Sequence, residues 1–455
     1  MNAPAIRARL LIVADDLSGA ADCAVAGTRL GLRSAVLLHA GAACPAGQDV
    51  LAVDADSRRA APAEAARRQL DAWQALAGTG TRLYKKVDST LRGNAAAEIA
   101  ALVPLAGLAI VAPAYPATGR TTRDGRQWLH GVAVEQTEVW RNEGIPGRAD
   151  LGAMLRAQGL RTALLPLEAI RAGRPALAAR FAALQAEGIQ AVVCDALGED
   201  DLAHIATASA ALQRVFWAGS GGLAPALMQA LGLDRRAGEG ADGGADGGAE
   251  DTDGHDADDH DGAGAAAGTD AGIVPGPVLT VVGSMSSISH TQAARLRDAA
   301  GDALLAFEVP VDGPDEAVAP LGQAVAAALR ARRDVLVTLS QATRADPADG
   351  LRHCRRLATL LAPGLPLAGA LVATGGETAR ALLAAAGIEA LRIAEEVEPG
   401  MPLLHAARAG APLAVVTKAG GFGTPGSLHA AWRRLSAATP VDAPRAPIRT
   451  KETLQ

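Results

Sequence analysis

The stretch Leu10–Ala20, LLIVADDLSGA, decides the fold. Its apolar opening reads as a strand buried on both faces, the kind found inside parallel sheets. The strand runs directly into two adjacent carboxylates, Asp15 and Asp16, and a Ser-Gly-Ala step then opens a helical segment. Open parallel α/β sheets bind ligands in the crevice beyond the carboxyl ends of their strands, so both acids would stand at such an edge. Two like charges beside an apolar strand are costly without a cationic counterpart. Mg²⁺, a Lys/Arg cluster or a polyhydroxylated substrate would serve. A helix N-cap followed by a first-turn acid explains the pair equally well.

The same rhythm continues along the chain. Ser34–Leu38, Val50–Val53, Thr81–Lys86, Leu108–Ala112, Ala191–Cys194 and Arg214–Trp217 read as strands, with helical periodicity over Pro62–Leu76 and Gly93–Leu102. After residue 272 it resumes with Pro277–Val282, Val335–Leu339, Ala370–Ala373 and Leu413–Val416. The expected fold class is α/β: two α/β domains with largely parallel sheets and the active site in the cleft between them. The expected units are residues 1–235, a linker over 236–272, and residues 273–455. The linker is Gly/Ala/Asp-rich, with no apolar side chain larger than Ala. Such a segment buries too little surface to offset the entropy of ordering, so it reads as a disordered spacer. His255, Asp256, Asp258, Asp259 and His260 within it offer a second, metal-binding reading.

Charge narrows the function classes. The 455 residues carry a net charge of −6, but residues 237–272 hold eleven acids and no Lys or Arg, which leaves the rest mildly basic. That balance suits anionic small molecules and is too dispersed for nucleic acid. The four cysteines, Cys23, Cys44, Cys194 and Cys354, are widely spaced and suggest no disulfide framework. No signal peptide or membrane span is read, so a cytoplasmic protein is expected.

Three further groups could carry chemistry. Lys85-Lys86-Val87-Asp88-Ser89-Thr90-Leu91-Arg92 follows a strand and is dense in cations. Its lysines and arginine can hold a carboxylate and neutralise phosphoryl charge, and Asp88 can accept a proton from a hydroxyl. A capped helix start with solvated lysines is the plainer reading. Arg58 or Arg59, in Asp56-Ser57-Arg58-Arg59 after another strand, could clamp a carboxylate; a solvated charge run fits equally. In the second half, turns at Gly283–Ser289, Gly375–Thr378 and Lys418–Gly423 each follow a strand. Small residues there let backbone N–H groups approach an anion. None of these turns fits GxxxxGK[ST], or GxGxxG with a ribose acid.

Together VADDLSGA, KKVDSTLRGN, APAYPATGRTT, GSMSSISHTQ, GGETARALL and EPGMPL…TKAGGFGTPGSL resemble the four-carbon acid sugar kinase family. The resemblance spans nearly the whole chain outside the acidic linker. It implies a first domain that binds a sugar acid, a second that binds ATP, and transfer of phosphate to the 4-hydroxyl with Mg²⁺. Asp15, Asp16, Arg58, Lys85, Lys86, Val87, Asp88, Ser89 and Arg92 would then face the substrate, with Asp15, Asp88 and Lys86 catalytic. Ser284, Ser286, Ser287, Gly375, Gly376, Glu377, Thr378, Gly420, Gly421 and Gly423 would face ATP; the metal ligands stay unassigned. Threonate, erythronate and 3-oxo-tetronate are the implied substrates, D-threonate first, with neither membrane nor nucleic acid as partner and a homodimer as an option. A nicotinamide-dependent dehydrogenase and a sugar-acid sensor without catalysis are the competing classes.

Overall fold

The computed structural model describes residues 8–234, 276–311, 314–340, 349–408 and 411–437. The expected linker, with its histidines and aspartates, lies outside the described residues. In the first half the strands are β1 (Leu10–Ala14), β2 (Ser34–Leu37), β3 (Val50–Asp54), β4 (Arg82–Lys86), β5 (Leu108–Ala112), β6 (Arg120–Arg123), β7 (Arg126–Leu129), β8 (Val132–Ala133), β9 (Thr162–Leu165), β10 (Ala191–Cys194) and β11 (Val215–Gly219). In the second half they are β12 (Val278–Val282), β13 (Leu304–Val309), β14 (Asp334–Leu339), β15 (Ala370–Thr374), β16 (Ala390–Glu398), β17 (Met401–Ala406) and β18 (Leu413–Lys418).

The expected sheets are there, but they are not separate. All strands except β6–β8 join one sheet of order β13-β14-β12-β15-β18-β17-β16-β2-β3-β1-β4-β11-β5-β10-β9. From β2 to β9 every neighbouring pair is parallel, and so are the pairs from β13 to β18. The antiparallel hairpin β16–β17 bridges the two blocks, and β16 pairs antiparallel with β2 through Leu37 and Ala390. Pro399-Gly400 closes this hairpin. Strands β6–β8 form a small antiparallel sheet of their own, in a region expected to be loop.

β1 explains how the layers are built. Its five residues are all buried, with Leu10 and Ile12 in one core and Leu11 and Val13 in another. Side chains alternate across a strand, so a strand buried on both faces must be apolar at every position. The Leu10 core runs on through Val281, Leu371 and Val415, so one hydrophobic layer spans both halves.

Helix α1 (Leu17–Arg29) lies in that shared layer and packs against β16, β17, β18 and the helix Gly376–Ala385. From Leu17 to Gly27 it is buried throughout except at Asp22. A helix enclosed on all sides must be apolar or small all round, which is why it reads LSGAADCAVAG.

Ion pairs lock the seam. Arg380 of the second half donates to Leu38 O at 2.5 Å and to Asp54 Oδ2 at 2.6 Å. Burial pushes the Asp54 carboxyl up to about 7 despite Arg380. Its folded value therefore lies above that of an unfolded Asp, and the charged form is the costly one above pH 7. Arg380→Ala should lower unfolding stability by about 3 kcal/mol at pH 8 by stranding that carboxylate. The loss should shrink at pH 5.5, where Asp54 is protonated; urea unfolding at both pH values checks this.

Candidate active site

The carboxyl ends of β1, β3, β4 and β11 open onto a narrow cleft. Its floor comes from the first half, and Gly400, Thr417, Ala419 and Phe422 of the second half close it. The chain passes from β1 to β2 and β3 on one side, then to β4 on the other. The β1/β4 edge is therefore a switch point, where parallel sheets leave a natural crevice.

Arg58 organises the floor. Its Nε and Nη2 donate to Asp15 Oδ2 and Oδ1 at 2.7 and 3.1 Å, and its Nη1 donates to Asp16 Oδ2 at 2.7 Å. Asp16 also caps α1, its Oδ1 accepting from Gly19 N at 2.9 Å. The cap reading and the site-edge reading thus hold together at Asp16. Asp15 is a different case: it lies beneath Arg58, 3 % exposed, and does not line the cleft. Burial alone would raise its carboxyl, but Arg58, Lys85 and Lys86 hold it below the usual carboxylate range. In this arrangement Asp15 anchors Arg58 from beneath and does not itself reach the cleft.

Asp88 lines the cleft but is also saturated. Its Oδ2 accepts from Thr90 N, Thr90 Oγ1 and Arg92 Nε, and its Oδ1 accepts from Arg92 Nη2 at 2.8 Å. It does not cap a helix: the next helix, Ala95–Ala106, starts after Asn94. Against the pull of burial, Arg92 and Arg58 hold its carboxyl well below the ordinary range. In this arrangement Asp88 organises its own loop while lining the cleft.

The two lysines part company because side chains alternate along β4. Lys86 lines the cleft. Lys85 points to the opposite face, fully buried, with its Nζ 2.9 Å from Glu98 Oε2 and donating to Lys86 O at 2.6 Å. Glu98 in turn accepts from Ser57 Oγ and Gln69 Nε2. Val87 is buried in the core behind. Lys85 and Val87 are thus corrected from substrate contacts to structural residues. Ser89 and Arg92 line the cleft beside Asp88.

Lys86 carries the clearest signal. Its ammonium is buried yet has no hydrogen-bond or ion-pair partner among the described residues. It lies over the start of α1, where a Cβ on Gly19 would fall 2.8 Å from Nζ. A helix N-terminus is an unfavourable neighbour for a cation. Burial lowers its pKa, but the neighbouring Cys23, Asp15, Asp16 and Asp88 push it above the usual lysine value. A charged, unpartnered ammonium that lines a cleft is a site for an anion.

The three glycine-rich turns of the second half meet at the ends of adjacent strands β12, β15 and β18. A Cβ on Gly420 would fall 2.2 Å from Ser284 Oγ, and one on Gly283 2.2 Å from Thr378 Oγ1. Gly375 N donates to Lys418 O at 2.8 Å. Lys418 Nζ donates to the carbonyls of Ala419, Gly420 and Phe422 at 2.9, 3.3 and 3.0 Å, and burial lowers its pKa to about 8. Ser286 precedes the helix Ser287–Ala300, and Ser286 N donates to Ser284 Oγ. Three of the residues expected on the nucleotide side have protein neighbours. Thr378 is buried against Cys354 Sγ at 3.3 Å, Glu377 is paired with Arg59 of the first half, and Gly423 packs on Ser427. Gly421 has open space around it, and Gly376 faces the first half, where a Cβ would fall 2.7 Å from Asp16 Oδ2.

The sequence reading passed over Ser18, Asp22 and Thr417. All three line the cleft, and Ser18 Oγ, Asp22 Oδ1 and Thr417 Oγ1 are buried without a hydrogen-bond partner. Asp22 could have been found from helical spacing, since it lies three and four residues beyond Gly19 and Ser18 on one face. Arg120 lies 4.6 Å over the Phe422 ring, across the two halves.

Comparison with known proteins matches residues 10–227 to a sugar-binding N-terminal domain and residues 279–428 to a nucleotide-binding C-terminal domain. The chain is 47 % identical to a D-threonate kinase of Cupriavidus necator, over 94 % of this chain and 98 % of that one. It is 35 % identical to a D-threonate kinase of Bordetella bronchiseptica (90 % and 94 % covered) and 31 % identical to a 3-oxo-tetronate kinase of Methylobacterium radiotolerans (90 % and 95 %). A solved Salmonella typhimurium structure shares the fold at a TM-score of 0.74 and 21 % identity, covering 93 % of this chain and 99 % of that one.

The lysine pair provides a contrast. Lys85→Met should cost about 3–5 kcal/mol by stranding buried Glu98. Lys86→Met should cost less than that, since Lys86 makes no direct ion pair, while lowering ligand-dependent turnover by about 100-fold or more. Urea unfolding and steady-state kinetics on both variants check this.

Proposed function

The chain belongs to the four-carbon acid sugar kinase family, and from that premise we propose that it transfers the γ-phosphoryl group of ATP to the 4-hydroxyl of D-threonate. The observation that carries this reading is the unpartnered Lys86 ammonium, in a cleft between the sugar-binding match and the nucleotide-binding match. The choice of D-threonate rests on the 47 % identity to an enzyme of that name.

Phosphoryl transfer asks mainly for positioning and for neutralisation of charge on the transferring group. Lys86 supplies the charge where the two halves meet. Arg92 and Ser89, at the exposed end of the floor, suit the substrate carboxylate: Arg92 commits its Nε and Nη2 to Asp88, and the rest of its fork remains for a second anion. Arg58 is spent on Asp15 and Asp16, so its part is to hold the floor rigid. The backbone of Gly375, Gly376, Gly420 and Gly421 suits the nucleotide phosphates, with Ser284, Ser286 and Ser287 beside them. Lys418 ties the last of these turns together.

The donors also suit Mg²⁺. Asp16 Oδ2 faces the Gly376 turn, and unpartnered Thr417 Oγ1 lies in the same cleft. Mg²⁺ keeps several waters and is held by one or two carboxylates plus substrate phosphates; Asp16 would supply the carboxylate. When bound, the ion would neutralise charge on the phosphates.

Coupled ATP-consumption assays across D- and L-threonate, D- and L-erythronate and the 3-oxo acids test the reading. D-Threonate should give the highest kcat/KM by about tenfold or more; a 3-oxo acid in that place would move the substrate assignment, and nicotinamide-dependent turnover would replace the class. A second outcome concerns pH. The Lys418 ammonium is lost as pH rises through about 8. The KM for ATP should therefore rise between pH 7 and pH 9, and Lys418→Met should flatten that rise.

A further inference from the structure

The kinase reading leaves open which group takes the proton of the attacking hydroxyl. Four carboxylates surround the cleft, and three are already engaged. Asp15 is held by two nitrogens of Arg58 and buried beneath it. Asp88 accepts from Thr90 and Arg92 on both oxygens. Asp16 caps α1 with one oxygen and meets Arg58 with the other.

Asp22 is the fourth. Its Oδ1 is buried without a hydrogen-bond partner, although the side chain lines the cleft. It projects from the one position between Leu17 and Gly27 that is not fully buried, towards two glycine turns. A Cβ on Gly221, after β11, would fall 2.3 Å from Asp22 Oδ2, and one on Gly400, in the β16–β17 hairpin, 3.9 Å from Asp22 Oδ1. Both turns thus leave room for this carboxylate at the junction of the halves, in the cleft that Lys86 also lines.

We infer that Asp22 is the general base of the transfer, its carboxylate accepting the 4-hydroxyl proton. The inference rests on the kinase reading. The O–H bond of the substrate breaks and its proton passes to Asp22. The freed oxygen pair forms the new bond to the γ-phosphorus, and the bond to the β,γ-bridging oxygen breaks with its electron pair leaving on ADP. Asp22 later returns its proton to water.

The surroundings suit that task. Burial pushes the Asp22 carboxyl up, Lys86 pulls it down and Asp16 raises it again, with Arg29 and Arg120 facing it from further off. Tyr115, across the cleft, is pushed far above its ordinary value by burial and stays neutral. A carboxylate raised towards neutrality is a better proton acceptor than the depressed Asp15 and Asp88.

Asp22→Asn tests it with little change of shape. The variant should keep the parent's melting temperature or exceed it, since an unpaired buried charge is gone. Its kcat with D-threonate and MgATP should fall by about 100-fold or more. Both KM values should stay within about threefold of the parent's, and the acidic limb of the kcat–pH profile should vanish. A kcat within about fivefold of the parent overturns the assignment. So does full recovery of kcat at high Mg²⁺, which would make Asp22 a metal-side acid. So does a higher KM for the acid at unchanged kcat, which would make it a binding group. A parent enzyme that turns over none of the four-carbon acids sinks the kinase reading itself, and the base with it.

Discussion

Everything at the site depends on one guanidinium. Arg58 follows β3, yet its nitrogens reach the two acids that follow β1 and come within 3.7 Å of Asp88, which follows β4. Three strand ends are thereby fixed to each other by charge-assisted hydrogen bonds, which are shorter and stronger than neutral ones. Only the planar, five-donor fork of arginine can serve several carboxylates at once; a lysine ammonium would act as a point charge. Without Arg58, buried Asp15 and half-buried Asp16 would be adjacent like charges without their shared counterion.

The same acids carry the first half's geometry to the second. Asp16 meets Arg58 on one side and the Gly376 turn on the other. Arg59, next in the chain, pairs with Glu377, the residue after Gly376. Three residues later, Arg380 pairs with Asp54 at the end of β3. The floor of the cleft and the glycine turns above it are therefore held in register by neighbours of the site's own residues. A residue such as Glu377 then serves the nucleotide side without touching nucleotide, because it sets where the turn sits.

Much of the fold was legible because buried parallel strands announce themselves. Leu108–Ala112 and Ala191–Cys194 are apolar throughout and match their strands end to end, as Pro62–Leu76 matches its helix. What stayed hidden has common physical causes. β16 reads ALRIAEEVE, half-exposed and charged, and its pairing with β2 joins segments more than 350 residues apart. No local pattern encodes such a partner. The site was legible at the level of loops and less so at the level of side chains. KKVDSTLR was read as a cationic cluster, but a period of two sends Lys85 to Glu98 and Lys86 to the cleft. Asp15 and Asp88 look like catalytic acids in the sequence; only the structure reveals that arginines already hold them. Asp22 hides in an Ala-rich helix where one acid reads as surface, until that helix proves to be buried nearly all round.

The unpaired Lys86 is intelligible only as half of an interaction. Its burial costs hydration, and its position over the first turn of α1 adds repulsion from the helix dipole. The folded chain offsets that cost with Asp15, Asp16 and Asp88, which hold the ammonium charged without bonding to it. Had any of them formed a direct ion pair with Lys86, an arriving anion would first have to break it. Committing those acids to Arg58 and Arg92 instead leaves the lysine charged and free. Donors fixed in advance need no reorganisation when charge develops on a transferring group, and this is the largest single source of rate in many sites of this kind. The arginines thus act at one remove: by occupying the carboxylates, they keep the lysine vacant for its ligand.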